Sequence, residues 1–472
     1  MVEVEADVAG TLGESSVDME VVSLSAHGQN RYPAARALRC RWSGRYGLRG
    51  SQYFGKLLME FRQSVLPNGL QVIGEINPRA QSAAVGFYVR TGSRNETLDC
   101  SGVSHFLEHM AFKGNEHFSA ADVNRVFDEL GANYNAQTGE EFTLYYAAVL
   151  PEYLPRAFEL LSALMQPTLR VEDFEVEKQV ILEEIGMYDD MPGFLAHDEA
   201  MAAHFARHPL GQSILGTRES IQALTADQMR NYFRQRYHTG NITLVATGKV
   251  SWEHITALAS QYCSSFPTGQ RDDHWLLCHP QITRLATTRP ALSQAHTMLF
   301  SSAPTSRDSQ RFAAEMLSVI VGDGDSGRLY WELVDPGHAE SCDLAYNEFF
   351  DNGIWGGYLC CDASETDTNI SRMKKVFQQI NASGVTADEL DEAFNKVASR
   401  IVLRSERPMG RLSVVGGDWV YREQYQSVEE EIEAYRQVTL RDIRTLLDQY
   451  PLGMTTITEL KPEEESSPVS GN

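Results

Sequence analysis

The sequence predicts an α+β chain of two related domains, each a mixed β-sheet with helices packed on one face. Three observations predict it. Strand-like and helix-like segments alternate from residue 60 to about 265. The same order of elements recurs after the break SSFPTGQRDDHWLLCHP. A length of 472 residues, 42% hydrophobic and 22% charged, suffices for more than one packed core.

The elements follow in order. Residues 1–58 read as an extension outside the fold: an acidic start (Glu3, Glu5, Asp7, Glu14, Asp18, Glu20), then six arginines and no acid over 31–50. The acidic opening argues against a transit peptide, and no secretory apolar core follows a basic start. Met59 makes a natural start, because FRQSVLPNGLQVIGE reads strand, turn, strand directly after it. SAAVGFYVRTGS is a strand, the HFLEH segment opens a helix, and SAADVNRVFDELG is a capped helix ending in glycine. NAQTGEEFTLYYAAVL reads as a turn followed by a strand of strong β formers. YLPRAFELLSALMQP is an amphipathic helix closed by proline, Val171–Tyr188 is another, and NITLVATGKV is a further strand. The first domain is therefore expected over 59–265, a linker over 266–285, the second domain over 286–461 and a solvated tail over 462–472.

The repeat carries a chemical expectation. With Gly322 set against Gly114, residues Ala313, Met316 and Leu317 fall where His105, Glu108 and His109 stand. Metal chemistry is thus expected in the first domain only. Composition narrows the partners. A net charge of −23 repels nucleic acid, and no apolar run approaches a membrane span. The seven cysteines are scattered, odd in number and without paired CxxC spacing, which favours reduced thiols in a cytosol-like compartment.

The stretch GVSHFLEHM (102–110) places two histidines and a glutamate among Phe, Leu and Met. On a helix, His105 and His109 leave one face a turn apart, with Glu108 on that same face. An HxxEH string arises by chance in roughly a few of every hundred chains this long. Two imidazoles at this spacing grip one metal ion, and a glutamate beside them can handle a proton. A catalytic zinc needs a third protein ligand and an open position. Val171–Tyr188 is the best helix to supply it: Glu177 and Glu184 are seven apart on one face, and Glu184 follows the apolar triplet Val180-Ile181-Leu182. A carboxylate against apolar surroundings needs a partner, which a cation supplies.

HFLEHMAFKG, NAQTGEEFTLYY, EKQVILEE and HPLGQSILG together resemble the pitrilysin and insulin-degrading-enzyme family of inverted-motif zinc peptidases. The likeness is to half-size members, such as the β subunit of mitochondrial processing peptidase and its bacterial relatives. It spans about 60–460. A glutamate 75 residues after the second histidine matches that family's spacing. The resemblance implies a zinc metalloendopeptidase with one Zn2+ per chain, ligated by His105, His109 and Glu184. It makes Glu108 the general base and Glu177 an acid behind the ligands. It sets Asn135 and Ala136 on an edge strand that pairs with a peptide substrate, whereas Asn135 alone reads as a turn residue. Glu183 is the rival ligand by position, and His204 and His208 are expected to be structural.

One departure stands out. The family presents an arginine and a tyrosine, seven residues apart, from its second half to the substrate. Here Tyr346 keeps the tyrosine, while Val334 stands where the arginine belongs and the following loop is longer. Two readings remain open: an active endopeptidase cutting extended peptides, and a non-catalytic or weakly active partner subunit of a heterodimeric peptidase. Such partners lose zinc-motif residues, and this chain has lost none. A homodimer or a heterodimer with a sibling chain is expected, without membrane insertion. The cytoplasm is the expected location, with the mitochondrial matrix as the alternative that the resemblance implies.

Overall fold

Two β-sheets of one connectivity organise the chain. The computed structural model describes residues 59–271, 278 and 280–463, so the expectations for residues 1–58 and 464–472 lie outside the described residues. The first half opens with β1 (Glu60–Val65), β2 (Gln71–Ile76) and β3 (Ala83–Val89), then helices α1 (Val103–Ala111) and α2 (Ala120–Glu129). Strands β4 (Asn133–Thr138) and β5 (Thr143–Val149) precede α3 (Leu154–Leu164), α4 (Val171–Asp189) and α5 (Pro192–Phe205). Helices α6 (Arg218–Ala223) and α7 (Ala226–Arg236), strand β6 (Ile242–Gly248) and helix α8 (Trp252–Cys263) complete it.

The second half follows with β7 (Thr283–Arg289), β8 (Ala295–Ser302), α9 (Arg311–Gly322), β9 (Ser341–Glu348) and β10 (Gly353–Cys361). Helices α10 (Thr366–Ser383), α11 (Ala387–Ser405), α12 (Pro408–Arg422), α13 (Val428–Arg436) and α14 (Leu440–Gln449) lead to β11 (Thr456–Pro462).

The sheets run β1-β2-β6-β3-β5-β4 and β7-β11-β8-β10-β9. Each has one parallel pair, β2 with β6 and β7 with β11, and is otherwise antiparallel. Without the extra β1, the two orders correspond strand for strand, so the halves are related as the repeat predicts.

Three boundaries differ from the sequence reading. NAQT belongs to β4, not to a turn; the reversal lies at Gly139–Glu141, where the Gly139 N–H donates to the Phe142 carbonyl at 2.9 Å. Asn and Gln are weak β formers, and ladder pairing with β5 overrides that preference. Strand β7 starts inside the expected linker because β11, near the chain's other end, pairs with it. Pro462, expected in the tail, ends that same strand.

Helices of each half cover one face of their own sheet, and the opposite face receives a helix from the other half. Leu412, Val415 and Trp419 of α12 pack on Ile73, Ala84, Tyr88 and Val245 of the first sheet. In return Ala196, Ala200, Met201 and Phe205 of α5 pack on Met298, Phe300, Ile354 and Leu460 of the second. This exchange explains why every residue of β3 and β6 is buried: a sheet covered on both faces takes continuous apolar runs. Arg411 of α12 also makes a buried ion pair with Glu75 at 2.6 Å, to which Tyr425 donates at 2.9 Å. Removing one partner of such a pair strands a buried charge, at about 3–5 kcal/mol. Among the described residues, no helix is long and apolar enough to cross a membrane.

Candidate metal centre

Helix α1 is set in place from its first turn. Gly102 has φ +89°, and a Cβ there would come within 2.6 Å of the Leu215 carbonyl oxygen, so glycine is required. The buried Glu96 carboxylate accepts the Gly102 and Ser104 N–H groups, both at 2.6 Å, and satisfies donors that a helix start leaves unpaired. Burial pushes the Glu96 carboxyl up to about 8 despite those bonds. Phe106 stacks on Phe174 of α4, ring centroids 4.7 Å apart, and this apolar contact sets the register between the two helices. The apolar residues within GVSHFLEHM thus aim its polar ones.

His105, His109 and Glu184 come together: one ligand atom from each lies within 4.8 Å of the others. The His105 and His109 rings are 4.7 Å apart. Glu184 Oε1 is 3.8 Å from His105 Nε2, and Glu184 Oε2 is 3.5 Å from His109 Nε2. Glu183 is exposed on another face of α4. Glu177, one heptad before Glu184, meets His109 Nδ1 at 2.9 Å and also pairs with Lys113. His109 therefore keeps Nε2 for the cluster while Nδ1 is held from behind.

The electrostatics suit a cation. Burial, and then the neighbouring His109, push the His105 imidazole down to about 3, so its ring is neutral. Burial would also lower His109, but the Glu177 bond and the charges of Glu184 and Glu108 outweigh it and hold its imidazolium above the usual range. Glu184 Oε2 is buried without a hydrogen-bond partner. A carboxylate with one orphaned oxygen, set against two imidazole nitrogens, fits a divalent metal of zinc's preference for N and O donors.

Glu108 lies beside this cluster. Burial raises its carboxyl, and a hydrogen bond from Thr138 Oγ1 to Oε2 at 2.5 Å offsets part of that rise. Sequence reading missed Thr138. Strand alternation was the available signal: Ala136 and Thr138 share one face of β4, and Ala136 is buried against the first core. Asn135 and Ala136 do lie on an edge strand, since β4 ends the first sheet. Thr138→Val is expected to lower peptide turnover about 10–100-fold, the worth of one hydrogen bond to a charged group, with metal content unchanged. Thr138→Ser should retain most activity. Parallel measurements of metal content and turnover check this, and metal loss in Thr138→Val would contradict it.

The structure does not bring Tyr346 to the cluster. Its hydroxyl donates to the Pro304 carbonyl at 2.9 Å within the second half. Val334 packs half-buried against the second core at the end of a π-helical turn, Tyr330–Val334. His204 bonds Thr456 at 2.8 Å where α5 meets the second sheet, and His208 caps the turn Pro209–Gly211.

Fold and site together define a class: a two-domain α+β protein whose first half carries an inverted His-x-x-Glu-His motif facing a glutamate on a second helix. Residues 71–218 match the family described as Insulinase (Peptidase family M16), and residues 223–397 match its "Peptidase M16 inactive domain". An uncharacterized zinc protease of Streptomyces coelicolor is 30% identical over 398 residues, covering 82% of this chain and 86% of that protein. One from Mycobacterium tuberculosis strain H37Rv is 31% identical over 400 residues, covering 82% and 89%. A solved protease from Helicobacter pylori shares the fold with a TM-score of 0.79 at 19% identity, over 86% of this chain and 100% of that one. The chain belongs to peptidase family M16, the insulinase family.

Proposed function

We propose that this protein is a zinc-dependent endopeptidase that hydrolyses extended peptides or unfolded segments. The observation that carries the reading is the convergence of His105, His109 and Glu184 within 4.8 Å, with Glu108 on the same face of α1. One Zn2+ per chain, held by those three residues, would supply Lewis-acid activation of water and of the scissile carbonyl. Glu108 takes the proton from the attacking water and delivers it to the leaving amine. Glu177 orients His109. The substrate lies as an added strand along β4, where Asn135 and Ala136 offer edge backbone and Thr138 links that strand to Glu108. Zinc analysis with a peptide-cleavage assay on the purified chain tests this: a zinc-loaded chain that cleaves no peptide, alone or with a sibling, would favour the non-catalytic reading.

The assembly we propose is a homodimer, or a heterodimer with a sibling chain, that sets the second half of one chain across from the metal cluster of the other. Tyr346 would then act on the substrate, at the cost of its bond to Pro304. In the homodimer Tyr346→Phe is expected to reduce turnover by about 10²–10³, the usual effect of losing one oxyanion donor, whereas with a sibling's second half facing the metal cluster it should matter little. Sedimentation alongside the assay checks both points. A fully active monomer would refute the assembly, and unchanged turnover of a homodimer would assign Tyr346 to Pro304 alone.

A further inference from the structure

The turn between β4 and β5 carries a buried glutamate that the chemistry above does not use. Glu141 is 1% exposed. Its carboxylate accepts hydrogen bonds from Arg94 Nη1 at 2.5 Å and from the Phe350 N–H at 3.0 Å. Arg94 is 6% exposed and reaches on to Asp351 at 2.8 Å. Arg94 lies on the loop between β3 and α1, whereas Phe350 and Asp351 lie in the reversal between β9 and β10. One carboxylate thus ties two loops of the first half to a turn of the second.

What precedes this turn makes its anchoring matter. Thr138, whose hydroxyl bonds Glu108, is the last residue of β4, three before Glu141. Strand β4 is an edge strand, so ladder pairing holds it from one side only. The loop that carries Arg94 supplies further bonds: the Ser93 N–H donates to the Gly139 carbonyl at 3.3 Å, and the Arg94 N–H to the Glu140 carbonyl at 2.9 Å. A Cβ on Gly92 would lie 2.1 Å from the Gly139 carbonyl oxygen, so only glycine allows this approach. Stability alone is a weak reason for a buried ion pair here, since apolar side chains of similar volume do as well. Directed bonds instead fix one geometry, and the geometry fixed is the end of β4.

We propose that Glu141 is a positioning residue for the reaction: held by Arg94 and by the Phe350–Asp351 turn, it fixes the end of β4 so that Thr138 meets Glu108. This rests on the peptidase reading, and it gives the second half a task inside its own chain. Glu141→Gln and Asp351→Asn, each made alone and together with Thr138→Val, test it by steady-state cleavage of an extended fluorogenic peptide. Alone, Glu141→Gln is expected to lower kcat about 10-fold and Asp351→Asn about 3-fold, with KM and metal content at the parent values. Added to Thr138→Val, neither should lower kcat by more than about 2-fold, because the contact through which they act is already gone. Hydrogen exchange of the Gly139 amide, which bonds the Phe142 carbonyl, should quicken in both variants while α4 keeps its protection. Asp351 is only partly buried, so its variant keeps the test open should Glu141→Gln fold poorly. Losses that multiply with that of Thr138→Val would overturn the proposal and leave the peptidase reading standing, as would kcat or Gly139 exchange unchanged in both variants. A parent chain that cleaves no peptide, alone or with a sibling, would overturn the two together.

Discussion

Glu108→Gln is expected to keep one zinc per chain and to cut peptide turnover by about 10²–10⁴, the range that positioned general acid–base groups contribute. Glutamine matches glutamate in size and can still receive the Thr138 hydroxyl through its carbonyl oxygen, so the local packing of α1 should survive. It cannot take a proton from water at neutral pH. The carboxyl suits the role because burial raises it above the usual range, towards the pH at which a base also returns its proton. Metal analysis and cleavage of an extended fluorogenic peptide, measured on one preparation, check the result. Full turnover by the Gln variant would move the base elsewhere, and loss of zinc would make Glu108 a ligand.

Glu184→Gln is expected to reduce zinc affinity far more than Glu183→Gln, which should leave it near the parent value. The two carboxylates are neighbours in sequence but not in space: Glu184 reaches both imidazoles, and Glu183 is exposed to solvent. His105→Ala and His109→Ala should behave like Glu184→Gln. Glu177→Gln should fall between, with a loss of roughly 10–100-fold, because it acts on zinc through the orientation of His109. Competition with a chromogenic chelator ranks the five variants. Equal losses at positions 183 and 184 would reject the register of α4 described above.

Much of this site was legible because its logic is local. The i, i+4 spacing of His105 and His109 and the heptad between Glu177 and Glu184 are helix periodicities. Asn135 shows where local reading fails. Its neighbourhood of Asn, Gln and Gly has turn-like preferences, yet it belongs to β4 because β5 offers a partner strand. Only the family resemblance, not the residues themselves, anticipated that. Thr138 was passed over for the same reason: a threonine read as part of a turn has no face, whereas in β4 it has one.

By itself the sequence determined the two-fold repeat of an α+β unit, the placement of the His-x-x-Glu-His motif in the first half and the helix that carries it. Apolar periodicity and residue spacing express these within one or two turns of chain. Tertiary structure alone decided the rest. It set the rotation of α4 against α1, through the Phe106–Phe174 stack, that brings Glu184 to both imidazoles. It exchanged α5 and α12 between the halves, because sheets apolar on both faces need a second cover. Contacts of that range leave no period in the chain, and only packing resolves them.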